Sequence, residues 1–128
     1  MIRFASVPHN VAMIENYLNQ VFSDYQISQT HYHNVLIALT EAVNNAIIHG
    51  NLKDENKFVQ INSEHKERTI LFKISDEGRG FDPDTIPDPT LPENLNRCGG
   101  RGVFLMQKLC KKVVFSDNGR TVTIEFDV

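Results

Sequence analysis

Read for its apolar and polar positions, the chain alternates between segments of period two and segments of period near 3.6. Residues 2–6 are short and partly alternating, which predicts a strand. Val11, Ile14, Leu18, Val21 and Phe22 then recur at helical spacing up to about Tyr25, behind a Pro8 that a first helical turn tolerates. Residues 28–30 offer N-cap chemistry for a second helix whose stripe of Leu36, Leu39, Ala42, Val43, Ala46 and Ile47 packs on a core, with Gly50 as a left-handed stop. Period two returns over residues 58–63, with Val59 and Ile61 on one face, and over 69–75, with Ile70, Phe72 and Ile74 on one face. The short charged stretch 64–68 between them predicts an antiparallel hairpin. No period holds over residues 81–99, where Pro83, Pro87, Pro89 and Pro92 break any element; a mobile lid or a disordered insertion fits. Val103, Leu105, Met106 and Leu109 begin a third helix running to about Lys112. Asn118-Gly119 then joins residues 113–116 to a strictly alternating Val122, Ile124, Phe126 and Val128, the pattern of a hairpin. The order predicts an α+β fold, a two-layer α/β sandwich with helices on one face of a mostly antiparallel mixed sheet.

Composition adds bounds. The 128 residues suit a single domain spanning 1–128, and 41% apolar content suits a packed core. A formal charge of -3 with scattered lysines and arginines gives no reason to expect direct nucleic-acid or membrane binding. No apolar run approaches a bilayer span and residues 1–6 lack a signal-peptide core, so a cytoplasmic location is expected. Cys98 and Cys110 form no paired motif and read as reduced thiols.

Three stretches carry candidate chemistry. Glu41 and Asn45 lie one helical turn apart and share a face. Taken alone they read as two solvated polar residues; a carboxylate and an amide so placed can also face a ligand. Asp76 closes a predicted strand and is followed by Gly78 and Gly80, where backbone can approach a ligand closely, although an ordinary glycine turn fits as well. The run from Arg97 through Cys98, Gly99, Gly100, Arg101 and Gly102 leads into the third helix, whose first turn exposes unpaired amides suited to phosphate. No G-x-x-x-x-G-K-[ST] loop and no complete G-x-G-x-x-G fingerprint is present, so a nucleotide would be held in another way. His31 and His33, two positions apart, point to different sides of a helix and make a poor metal pair.

In their order and context these stretches resemble the GHKL ATPase superfamily, which includes gyrase-type topoisomerases, heat-shock chaperones and sensor histidine kinases. Within it, Glu41-Ala-Val-Asn-Asn-Ala-Ile-Ile-His-Gly50, Asp76-Glu-Gly-Arg-Gly-Phe-Asp82 and Gly99-Gly-Arg-Gly-Val-Phe-Leu-Met106 are similar to the three boxes of bacterial anti-sigma-factor serine/threonine kinases. The resemblance covers nearly the whole chain and implies a Bergerat-type fold that binds ATP or ADP with Mg. It implies that Glu41 deprotonates a protein hydroxyl, Asn45 ligates Mg, Asp76 reads adenine, and Gly78 and Gly80 lie against the nucleotide. Gly100, Arg101 and Gly102 would wrap the phosphates, and Thr121 would support the adenine contact. Arg97 stands one place earlier than the arginine of some relatives, so either Arg97 or Arg101 is implied at the γ-phosphate; Arg120 replaces the first threonine of a pair. Partners implied are a sigma factor and an anti-sigma-factor antagonist, with a homodimer whose interface is open between the first helix and the strand edges. A nucleotide-dependent binding module, or a free-standing ATPase subunit of another bacterial signalling system, stays open beside the kinase; a retained Glu41 argues against a pure switch.

Overall fold

The computed structural model describes residues 1–78 and 100–128, the side chains of residues 100–103 excepted. In chain order the elements are β1 (Ile2–Ala5), α1 (Met13–Asp24), α2 (Tyr32–Asn45), β2 (Phe58–Lys66), β3 (Thr69–Ser75), α3 (Gly100–Leu109), β4 (Lys112–Ser116) and β5 (Thr121–Asp127). Short 3-10 turns lead into α1 over Pro8–Ala12 and into α2 over Gln29–His31. At the second, the Ser28 hydroxyl accepts from the Thr30 amide at 3.3 Å, so the predicted capping falls on this turn and not on α2, whose own N-cap residue His31 makes no side-chain cap bond.

The five strands form one sheet in the order β1-β2-β3-β5-β4. All four pairings are antiparallel, so the parallel component of a mixed sheet is missing among the described residues. Strand alternation decides which face is dry. Val59, Ile61, Ile70, Phe72, Ile74, Val122, Ile124 and Phe126 are buried, whereas Lys73 between them on β3 is exposed. Against the dry face pack Ile14, Leu18, Val21 and Phe22 of α1 and Val35, Ala38, Leu39, Ala42 and Val43 of α2. Burying side chains such as Leu18, Leu39 and Phe72 contributes about 1.5–3 kcal/mol each, so the helix–sheet seam dominates stability. Phe72 and Phe126 add an edge-to-face contact, with centroids 6.3 Å apart.

Both predicted hairpins form, the first with a shorter turn and the second with a longer one than the pattern suggests. The β2–β3 ladder runs out to the Lys66–Thr69 pair, leaving Glu67 and Arg68 as the turn, with Glu67 left-handed at φ 47°. Between β4 and β5, Asp117, Asn118 and Gly119 are all left-handed. Among the described residues no helix is long and apolar enough to cross a membrane.

One boundary differs from expectation in a way that shapes the site. Gly50 is not a left-handed stop: α2 ends at Asn45, and Ala46–Gly50 form a π turn in which the Asn51 amide bonds back to the Ala46 carbonyl at 2.8 Å. The left-handed residues come later, at Leu52 (φ 54°) and Lys53 (φ 57°), held by a 2.7 Å bond from the Lys53 amide to the Ile47 carbonyl. Glycine at position 50 serves close approach instead.

Candidate functional site

Asp76 lies at the end of β3, the central strand, immediately after the Ser75–Thr121 pair. Its surroundings are crowded. A Cβ placed on Gly50 would overlap the Asp76 carboxylate, and a Cβ on Gly78 would overlap the Gly50 carbonyl. The π turn after α2 thus brings backbone of residue 50 directly against the Asp76–Gly78 turn, and only glycine fits at either position.

The turn itself is held at its three amides and at the Gly78 carbonyl. The Asp76 amide donates to the Arg120 carbonyl at 2.9 Å. The Glu77 amide donates to Asn51 Oδ1 at 2.7 Å. The Gly78 amide donates to Asp76 Oδ1 at 2.8 Å, and the Gly78 carbonyl accepts from Arg120 Nε at 2.7 Å. Asn51 is fully buried and uses its whole amide: Nδ2 donates to the Ser6 hydroxyl and the Phe58 carbonyl while Oδ1 holds Glu77. Beneath the turn, the buried Thr121 hydroxyl lies 3.3 Å from that of Ser75.

Burial raises the Asp76 carboxyl above its ordinary range, opposed by the Gly78 amide and the Arg120 guanidinium. An acid that is half desolvated yet hydrogen-bonded on one oxygen is a directional acceptor for a ligand N–H. Burial also lowers His49, favouring its neutral imidazole, and pushes the Cys110 thiol up to about 12, which makes it unreactive.

Asn45, Ala42 and Ala46 of α2 and its π turn, Ile74 and Asp76 of β3, Met106 of α3, and Arg120 and Val122 line one cleft. Its volume is about 20 Å³, close to the space of one water. Of the residues singled out in the sequence, the structure brings Asn45 and Asp76 to this cleft and sets Thr121 behind it. Glu41 is half-buried one turn before Asn45 on α2, outside the cleft lining. Gly78 packs on Gly50. Gly100, Arg101 and Gly102 form the first turn of α3, so these three belong to the helix itself. Gly80, Arg97 and the proposed lid over 81–99 lie outside the described residues. Three or more His, Cys, Asp or Glu side chains do not gather anywhere among the described residues in a way that could hold a metal.

Two contributors escape a reading of the sequence. Asn51 follows a glycine at the end of a helical stripe and looks like a boundary residue; Arg120 is marked only as a departure from the family's threonine pair, with no role of its own. Their roles depend on contacts 26 and 42 residues away in sequence, and no local period reports those.

Asn45 of α2 and Asp76 at the end of the central strand thus line one cleft of a helix–sheet sandwich, in a chain that carries no phosphate-loop motif. The chain belongs to the family described as the histidine kinase-like ATPase domain, which residues 4–126 match. It is 33% identical over 122 residues to serine-protein kinase RsbW of Staphylococcus aureus strain JH9, covering 89% of this chain and 77% of that protein. The same protein of strain Newman matches equally. Among solved structures, the histidine kinase domain of the blue-light activated histidine kinase of Erythrobacter litoralis EL346 shares the fold, with a TM-score of 0.54 and 18% identity over 94% of this chain. The chain spans 60% of that solved chain.

Proposed function

We propose that this chain is a single-domain, ATP-dependent protein serine/threonine kinase acting as an anti-sigma regulatory factor. It binds a sigma factor and phosphorylates an anti-sigma-factor antagonist in the cytoplasm, as a homodimer. The observation that carries the reading is the convergence of Asn45 and Asp76 on one cleft, with Glu41 one turn away on α2. Likeness to a protein named serine-protein kinase supports the choice of acceptor.

The residues present fit Mg-ATP by the chemistry of their donors and acceptors. Asp76 Oδ1 takes the Gly78 amide, and among the described residues no hydrogen bond to Oδ2 is seen, which suits a contact with the amino group of adenine. Thr121 and Ser75 support the strand end from behind. Asn45 would hold Mg through its neutral amide oxygen, a hard donor of the kind this ion takes. Mg-ATP, when bound, supplies the γ-phosphoryl group and neutralises its charge. Glu41 then orients the acceptor hydroxyl and takes its proton, as a base does in phosphoryl transfer, where positioning and electrostatics supply most of the catalysis. The first turn of α3, with Gly100, Arg101 and Gly102, offers amides and positive charge to the phosphates. Gly80 and Arg97 complete the set, Gly80 against the nucleotide and Arg97 or Arg101 at the γ-phosphate.

Incubation with Mg-ATP and the purified antagonist tests the proposal. The expected result is one phosphoserine or phosphothreonine per antagonist, dependent on Mg, with ADP released in equal amount. Partner binding that responds to ATP while no phosphorylated residue forms would replace the kinase with a nucleotide-dependent binding module.

A further inference from the structure

The Asp76 carboxylate takes the Gly78 amide, and the rest of the turn that carries it is held by residues from elsewhere in the chain. We infer that Arg120 and Asn51 are positioning residues for nucleotide selectivity, a two-sided clamp that fixes the Asp76–Gly78 turn and so aims the Asp76 carboxylate at the 6-amino group of a purine. The inference rests on the proposal that Asp76 reads the base.

Three observations carry it. Arg120 grips the turn at both ends: its carbonyl takes the Asp76 amide at 2.9 Å and its Nε donates to the Gly78 carbonyl at 2.7 Å. Asn51 takes the amide between them, that of Glu77, at 2.7 Å. Each grip is anchored elsewhere, Asn51 through Ser6 and Phe58, and Arg120 through the Asp117 carbonyl and carboxylate at 3.4 Å. Together they hold the backbone of residues 76–78, and glycines at 50 and 78 let the Gly50 backbone close directly on the Asp76 carboxylate. A hydrogen-bonding group whose support is rigid distinguishes a ligand that can pair from one that cannot; a loose one adapts to both. Arg120 also lines the cleft with Asp76, so a direct charge contact with the ligand is the competing role, and the choice of substitutions separates the two.

Glutamine carries a side-chain N–H donor at the same bond count from Cα as arginine Nε, without the charge. Methionine keeps the apolar stem and has no donor. Binding of ATP and of purine riboside triphosphate, which lacks the 6-amino group, is measured for wild type, Arg120→Gln, Arg120→Met and Asp76→Asn. If Arg120 positions Asp76, R120M loses about tenfold in preference for ATP over the analogue, the order of one hydrogen bond. Its affinity for the analogue then stays within about twofold, R120Q keeps the wild-type preference, and R120M adds nothing to D76N. Equal weakening of both nucleotides in R120M and R120Q would overturn the clamp in favour of a charge contact. An unchanged preference in D76N would overturn the base-reading role itself, a failure distinct from that of the clamp. Because R120Q and R120M differ by one donor at equal length, their contrast stands even where both lower stability.

Discussion

Replacing Glu41 by alanine is expected to abolish measurable phosphate transfer to the antagonist while ATP still binds within about twofold of wild type. Glu41 lies in the middle of α2, half-buried and outside the cleft lining. Alanine is the best helix former, so the helix and its buried stripe survive the change. What goes is the base. A positioned general base contributes about 10²–10⁴ in rate, and an interaction made with the acceptor hydroxyl rather than with the nucleotide appears in turnover, not in ATP affinity. Single-turnover transfer with saturating Mg-ATP, beside a nucleotide titration of the same variant, checks both halves. Transfer at the wild-type rate would remove Glu41 from the chemistry.

Gly78→Ala is expected to damage the site more broadly than any loss of a single polar group. The added methyl falls on the backbone carbonyl of Gly50, which is no flexible side-chain end. The Gly50 carbonyl has little room to withdraw, since Gly50 is itself packed on the Asp76 carboxylate and tied into the π turn through neighbouring bonds at Asn51 and Lys53. Either the Asp76–Gly78 turn lifts away from its Arg120 and Asn51 partners or the π turn shifts. Overpacking of this kind costs about 1–3 kcal/mol, read as a lower midpoint of urea unfolding. ATP affinity should fall by more than tenfold, because the acid is displaced along with its support. An unfolding midpoint and an ATP affinity both equal to wild type would contradict the packing described.

How much of this was legible in the sequence depends on which interactions each feature needs. The strands and helices follow from periods within single segments: Ile70, Phe72 and Ile74 alternate because they face the helices, and Leu18 and Phe22 repeat because they face the sheet. The capping at Ser28 and the Asn118-Gly119 turn are local too. Asn45 and Asp76 stand out locally only as an amide on a stripe-bearing helix and an acid at a strand end, and the family resemblance is what singles them out as candidates. Their meeting at one cleft is a tertiary fact. The stop at Gly50 was misjudged for the same reason. A glycine after a helical stripe predicts a left-handed cap, but the helix here widens into a π turn, and glycine is required by the Asp76 carboxylate pressed against it from another strand. Asn51 shows the limit most plainly: a buried side chain tying Ser6, Phe58 and Glu77 together has no periodic signature.

The central claim is that nucleotide binds between α2 and the end of β3, and larger clefts among the described residues serve to test it. One, of about 300 Å³, is lined by His31, Val35, Leu109 and Cys110 among others; the second, of about 760 Å³, lies by Glu64, Lys66, Arg68 and Glu125. Titration of the isotopically labelled protein with Mg-ATP, followed by backbone and side-chain amide resonances, distinguishes the three sites residue by residue. The account predicts the largest shifts at Asn45, Gly50, Asp76, Gly78, Arg120 and Thr121, saturating together. Shifts centred on Val35, Leu109 and Cys110, or on Lys66, Arg68 and Glu125, with the Asp76 turn unmoved, would contradict it.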